Sequence, residues 1–164
     1  MKELVDIFKD IATEMEIKYI YGGVDECILK IHTMSKTPAT NEKRFPCLVL
    51  FTDIPEVRGD DAGIEMKVTI PSLIICTATL QKWDAEERMQ KNFKEVLLPK
   101  YRELLQQLEY NTDLATLSSD LLQHTKINRM SWGKSALFTE NNMGTEFIDA
   151  IEIQNLQLSV YKSC

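Results

Sequence analysis

From Ile64 to Leu80 the chain alternates. Ile64, Met66, Val68, Ile70, Ile74, Cys76, Ala78 and Leu80 hold the even places, and Glu65, Lys67, Thr69, Thr77 and Thr79 the odd ones. A period of two is the signature of a β-strand with one face turned to a core. A strand this long with one apolar face has to lie in a sheet and under a covering layer. Pro71 cannot donate to a sheet ladder, so it marks an edge, a bend or a join between strands. Because the even phase continues across it, the pattern predicts one long bent strand.

The material for a covering layer lies on both sides of this strand. Leu4, Phe8, Ile11 and Met15, flanked by Val5 and Ala12, recur at helical steps, with Lys2, Glu3, Asp6, Lys9, Asp10 and Glu14 on the rest of the surface. Further on, Asp84 is suited to cap a helix and Glu87 stands where a capping box needs it. The stripe Met89, Phe93, Leu97, Tyr101, Leu104 and Leu108 then predicts the longest helix, with Pro99 inside it. Proline removes the bond to the Glu95 carbonyl, so a kink is expected at that point.

The remaining segments supply strands and loops. Ile17–Tyr21 reads as a short strand ending at Gly22-Gly23, a turn signal, and Cys27–His32 as its hairpin partner with Cys27, Leu29 and Ile31 on one face. Thr33–Arg44 and Asp53–Gly63 read as long polar loops, separated by the apolar strand Phe45–Phe51, which predicts cover on both faces. Asn111–Gln123 is open between a short helix and a packed loop. Thr125–Trp132 reads as a strand and Gly133–Glu146 as a connection. In Phe147–Tyr161 the apolar phase slips by one residue at Gln154-Asn155, between Ile151 and Ile153 on one side and Leu156, Leu158 and Val160 on the other, which predicts a β-bulge. No linker or repeat divides the chain. The expected architecture is a single α+β domain over residues 1–164, a mostly antiparallel sheet with the N-terminal helix and one long kinked helix on one face.

Composition narrows the function classes. The 164 residues are 44% hydrophobic and 27% charged, ordinary for a globular chain, which can bury roughly 70% of its unfolded surface without a staple. A net charge of −6 argues against duplex nucleic acid as a partner, since phosphate neutralisation drives that affinity. The longest apolar run, Leu73–Cys76, is far too short to cross a bilayer, and the acidic start lacks a signal-peptide core, so no membrane partner and a cytosol-like compartment are expected.

Motifs for chemistry are sparse. Cys27, Cys47, Cys76 and Cys164 form no Cys-x-x-Cys pair and read as small buried hydrophobes. His32 and His124 have no second ligand at metal spacing. Gly22-Gly23 matches no phosphate loop or dinucleotide fingerprint. Asp60-Asp61 lies between glycines, a poor place to hold a pKa, and Glu86-Glu87 is occupied with the helix start. Trp83 and Trp132 read as closing ends of the core, and Tyr19 and Tyr21 as one half-buried strand face. No catalytic residue, cofactor or metal is expected, and the chain reads as a non-enzyme.

The order of elements carries a resemblance. The amphipathic first helix, the Phe45-Pro46-Cys47-Leu48-Val49-Leu50 strand, the passage from Ile75-Cys76-Thr77-Ala78-Thr79 into Trp83-Asp84-Ala85-Glu86-Glu87-Arg88, and the closing Asp149–Leu156 strand together resemble the tail-terminator and tail-completion proteins of long-tailed bacteriophages. That resemblance implies a virion structural protein, assembled in the bacterial host cytoplasm, that forms a homo-oligomeric ring, commonly of six, and meets other tail or connector proteins at the head–tail junction. It implies that loops between strands make the subunit contacts, here Lys36 and Arg44 in the first and Arg58, Asp60 and Asp61 in the second. The segment Asn111–Trp132 is not placed by that plan. The alternative reading is a small cytoplasmic binding or adaptor module without catalysis.

Overall fold

A computed structural model of the chain describes residues 2–59, 63–116, 122–132 and 146–161. It is an α+β fold built on a seven-stranded sheet. In chain order the described elements are helix α1 (Leu4–Glu14), strand β1 (Lys18–Gly22), helix α2 (Val24–Met34), the one-turn helix α3 (Pro38–Asn41), strands β2 (Cys47–Phe51), β3 (Glu56–Arg58) and β4 (Ile64–Ala78), a long helix, and strands β5 (Leu114–Thr116), β6 (Gln123–Trp132) and β7 (Glu146–Tyr161). The sheet path is β1-β2-β4-β7-β5, with β3 on β4 and β6 on β7. Only β1 and β2 run parallel among the described pairings.

That parallel pair overturns the expected hairpin. Parallel neighbours need a crossover, and α2 supplies it. Residues 27–32, expected as a strand, therefore form helix: Cys27, Ile28 and Ile31 are buried while Leu29, placed inward by a two-residue period, is 46% exposed. Gly23 starts the helix, and Asp25 and Glu26 in its first turn complement the positive end of its dipole. The polar stretch expected as a loop from Thr33 is also shorter, because α2 runs to Met34 and Pro38 opens α3. In the second polar segment, Glu56–Arg58 pairs with Met66–Val68 as β3.

Two apolar clusters flank the sheet. One joins Leu4, Ile7, Phe8, Ile11, Ala12 and Met15 of α1 to Phe93, Leu97, Tyr101, Leu104 and Leu108 of the long helix over Leu48, Leu50, Leu73, Ile75, Ile151 and Ile153. The other sets Cys27, Ile28 and Ile31 of α2 over Cys47, Val49, Ile74, Cys76, Ile148 and Ala150. Strand β2 is thus covered on both faces, as its unbroken apolar run implied. The two expected helices share one face, and α2 adds a layer on the other.

Strand β4 is one strand through Pro71, but the apolar phase does not survive the proline. Met66, Val68 and Ile70 face the first cluster, then Leu73 and Ile75 do, while Ile74 and Cys76 face α2. Strand β7 changes phase at the facing point: Ile151 and Ile153, then Leu156, Leu158 and Val160, all meet the first cluster. Ile70 pairs with Leu156 and Ser72 with Gln154, so Pro71 stands opposite Asn155 and the register is unchanged. Each strand carries one extra residue at the same level. Asn155 takes a left-handed φ of 52°, a conformation asparagine tolerates better than most residues.

The long helix is continuous from Ala85 to Tyr110 in three windings: α-helical Ala85–Arg88, π-helical Met89–Leu97 and α-helical Leu98–Tyr110. The change of winding stands where a kink was expected, and Pro99, which has no amide to give the preceding turn, follows directly on the π-helical stretch. The steps of four between Met89, Phe93, Leu97 and Tyr101 fit the wider turn. The capping box forms as expected: Asp84 Oδ1 accepts from the Glu87 amide at 2.9 Å and Glu87 Oε2 from the Asp84 amide at 3.1 Å. Lys100 Nζ donates to the Met15 carbonyl at 2.6 Å and ties the end of α1 to this helix.

Candidate functional site

The first strand ends the sheet, and its outer edge borders a groove of about 570 Å³ under α2. Lys18, Tyr19 and Tyr21 line one wall and Leu29, Lys30 and Met34 the other. Sequence position fixes this layout: β1 enters the sheet beside β2, and the helix that follows must cross back over it. Lys30 Nζ donates to the Tyr21 carbonyl at 2.6 Å and pairs with Glu26 Oε1 at 2.6 Å, so this lysine guards one end of the open edge. Its charge holds the Glu26 carboxyl below its usual range, chiefly through the hydrogen bond. Tyr19 and Tyr21 pack half-buried against the first cluster. Burial pushes the Tyr19 phenol well above its ordinary pKa, with the neighbouring Tyr21 and Asp6 adding to the rise, and its hydroxyl has no hydrogen-bond partner among the described residues. The groove combines apolar walls, a sheet edge that no strand pairs among the described residues, and a basic rim at Lys18.

Of the residues expected to make subunit contacts, the described ones, Lys36, Arg44 and Arg58, do not line this groove. Lys36 is exposed just after α2, and the Arg44 guanidinium lies 5.0 Å over the Phe45 ring. Arg58 is exposed at the end of β3, with Val57 beside it 66% exposed. Asp60 and Asp61 lie outside the described residues, as do Cys164 and the connection at 133–145. Sequence reasoning missed the groove itself. Its signal was the run Cys27, Ile28 and Ile31, whose helical spacing was hidden by an equally good alternation through Leu29.

A second constellation is buried. Asp149 on β7 is fully buried and its Oδ2 accepts from Asn92 Nδ2 at 2.6 Å, while Asn92 also donates to the Ala78 carbonyl at 3.0 Å. Arg88 Nε sits 3.9 Å from Asp149 Oδ1, and Arg88 Nη2 donates to the Trp83 carbonyl. These contacts pin the start of the long helix to the end of the β4–β7 ladder. Trp83 is half-buried with Lys91 Nζ 4.6 Å above its ring and belongs to neither core cluster, in place of the expected core closure. The Trp132 side chain lies outside the description. Tyr101 Oη and His124 Nδ1 meet at 3.1 Å, and burial raises the Tyr101 phenol pKa.

Chemically, a buried ion pair without an open approach positions elements, whereas an edge with an apolar groove binds chains. Among the described residues no group of three His, Cys, Asp or Glu side chains is arranged to hold a metal ion. No helix there is long and apolar enough to cross a membrane. No protein-family model, curated protein or solved structure matches the chain.

Proposed function

We propose that the protein is a structural subunit that acts by contact with copies of itself, in the manner of the phage tail-terminator and tail-completion proteins it resembles. On this reading it assembles in a bacterial host and ends in the virion at the tail end or head–tail junction. The observation that carries the reading is the open β1 edge beside the α2 groove. A strand edge left next to apolar walls is a site for strand addition. The segment of a neighbouring copy that suits it is β3, a three-residue strand with exposed Val57 next to Glu56, whose charge complements Lys18 on the groove rim. Groove to β3 is a head-to-tail contact, the kind that closes into rings.

Light scattering after size exclusion, over rising concentration, tests this. Wild type should assemble, and Leu29→Asp and Val57→Asp should each lower the mass. Mixing the two variants should restore a single junction and give dimers, because each retains one good half of the contact. A strict monomer at high concentration overturns the reading and favours an adaptor module. Assembly untouched by both substitutions overturns the choice of surface.

A further inference from the structure

Three of the four cysteines, unrelated in sequence spacing, meet on the α2 side of the sheet. Cys27, Cys47 and Cys76 are all fully buried and free. Cys47 and Cys76 are direct partners across the antiparallel β2–β4 ladder, and their sulfurs lie 3.2 Å apart. Directly opposed residues in such a ladder have Cα atoms about 4.5–5.5 Å apart, inside the span a disulfide bridges. Closing from 3.2 Å to a bond needs the sulfurs to approach by about 1.2 Å, within reach of small side-chain rotations. The Cys27 Sγ donates instead to the Gly22 carbonyl at 3.5 Å.

We propose that Cys47 and Cys76 are an oxidative modification site, forming a cross-strand disulfide with hydroperoxides and returning to thiols with small-molecule thiols. One sulfur, as thiolate, attacks the peroxide oxygen; the O–O bond breaks and a sulfenic acid forms with release of one water. The partner thiol then attacks that sulfur, the S–S bond forms and a second water leaves. Two thiols and one hydrogen peroxide thus become one disulfide and two waters. The hydrogen bond with Cys47, together with burial, holds the Cys76 thiol well above its usual pKa, so the first attack takes place when α2 opens locally. The 3.2 Å approach then favours closure over further oxidation. The product latches β2 to β4 beneath α2.

The test treats folded protein with hydrogen peroxide in graded doses, quenches with catalase, then unfolds it in guanidinium with iodoacetamide. Intact and peptide mass spectra are the readout, with methionine oxidation as the internal measure of dose. The expected product is an intramolecular 47–76 link, two hydrogens lighter, with Cys27 and Cys164 alkylated, and it disappears on incubation with dithiothreitol. Cys27→Ala should retain the link and Cys47→Ala should abolish it. Four alkylated thiols at doses that oxidise methionine overturn the proposal. So do a link through Cys27 in wild type, unlinked sulfinic acid as the main product, or an unlinked pair in the Cys27→Ala variant.

Discussion

Replacing Asp149 by alanine breaks the buried ion pair with Arg88. The carboxylate is fully buried and Arg88 only 6% exposed, so the guanidinium would lose its counter-charge without gaining water. Removing one partner of a buried pair costs about 3–5 kcal/mol. Two features place this case toward the lower end: the Nε–Oδ1 distance is 3.9 Å, and Arg88 keeps the Trp83 carbonyl. Asn92 likewise keeps the Ala78 carbonyl while losing its 2.6 Å bond to Asp149. A loss of about 3 kcal/mol lowers the melting midpoint of a domain this size by roughly 6–12 °C. Urea titration followed by far-ultraviolet circular dichroism measures it. The double variant Arg88→Met with Asp149→Leu removes both charges and should lose less than Asp149→Ala alone, because no unpaired charge stays buried. A loss below about 1 kcal/mol for the single variant, or a double variant worse than the sum of its parts, would refute the assignment.

Asn155→Val should cost about 1–2 kcal/mol, because a β-branched residue resists the left-handed φ of 52°, whereas Asn155→Gly should be close to neutral; thermal melts compare them. Burial raises the Cys27 thiol from 9.0 to about 11, with the Glu26 and Cys47 charges adding to the rise against Lys30. Its contribution to stability is therefore complete below pH 9 and falls as pH rises from 9 to 11, because the unfolded chain gives up that proton first; Cys27→Ala should flatten this part of a urea stability profile. If the proposed function holds and the loop acids line a ring through which DNA passes, like charge would repel phosphate, so Asp60→Lys with Asp61→Lys should lower infectivity of the phage; unchanged infectivity would remove that role from these two residues.

The sequence made some elements legible because their patterns were exclusive. The stripe from Met89 to Leu108 admits only a helix, and the Asp84–Glu87 box marks its start in both sequence and structure. The wholly apolar Cys47–Phe51 announced cover on two faces. Residues 27–32 failed for a physical reason: Cys27, Leu29 and Ile31 satisfy a period of two while Cys27, Ile28 and Ile31 satisfy a helix. The choice was made by the parallel β1–β2 pairing, a long-range fact. The groove followed that element into obscurity. The Cys47–Cys76 approach was equally hidden, since only register brings residues so far apart in sequence to opposite places.

The matched phase change at Pro71 and Asn155 explains how one sheet serves two different surroundings. Near Cys76 and Ala150 the sheet is sandwiched, so both faces of β4 and β7 carry apolar residues. Toward Met66 and Val160 the face away from α1 and the long helix carries Lys67, Thr69 and Gln157 instead. Had the even phase of β4 run on unbroken, Val68 and Ile70 would have joined Ile74 and Cys76 on the α2 side, beyond the cover that an eleven-residue helix provides. An extra residue in one strand alone would have shifted every pairing past it. Two facing extras turn both strands over together and leave the register intact. Deleting Pro71 alone should therefore be far more damaging than deleting Pro71 with Asn155. The double deletion keeps the strands aligned and leaves Ile70 two places from Leu73 and Ile153 two places from Leu156, so both pairs still share one face, and hydrogen exchange along β4 and β7 distinguishes the two outcomes.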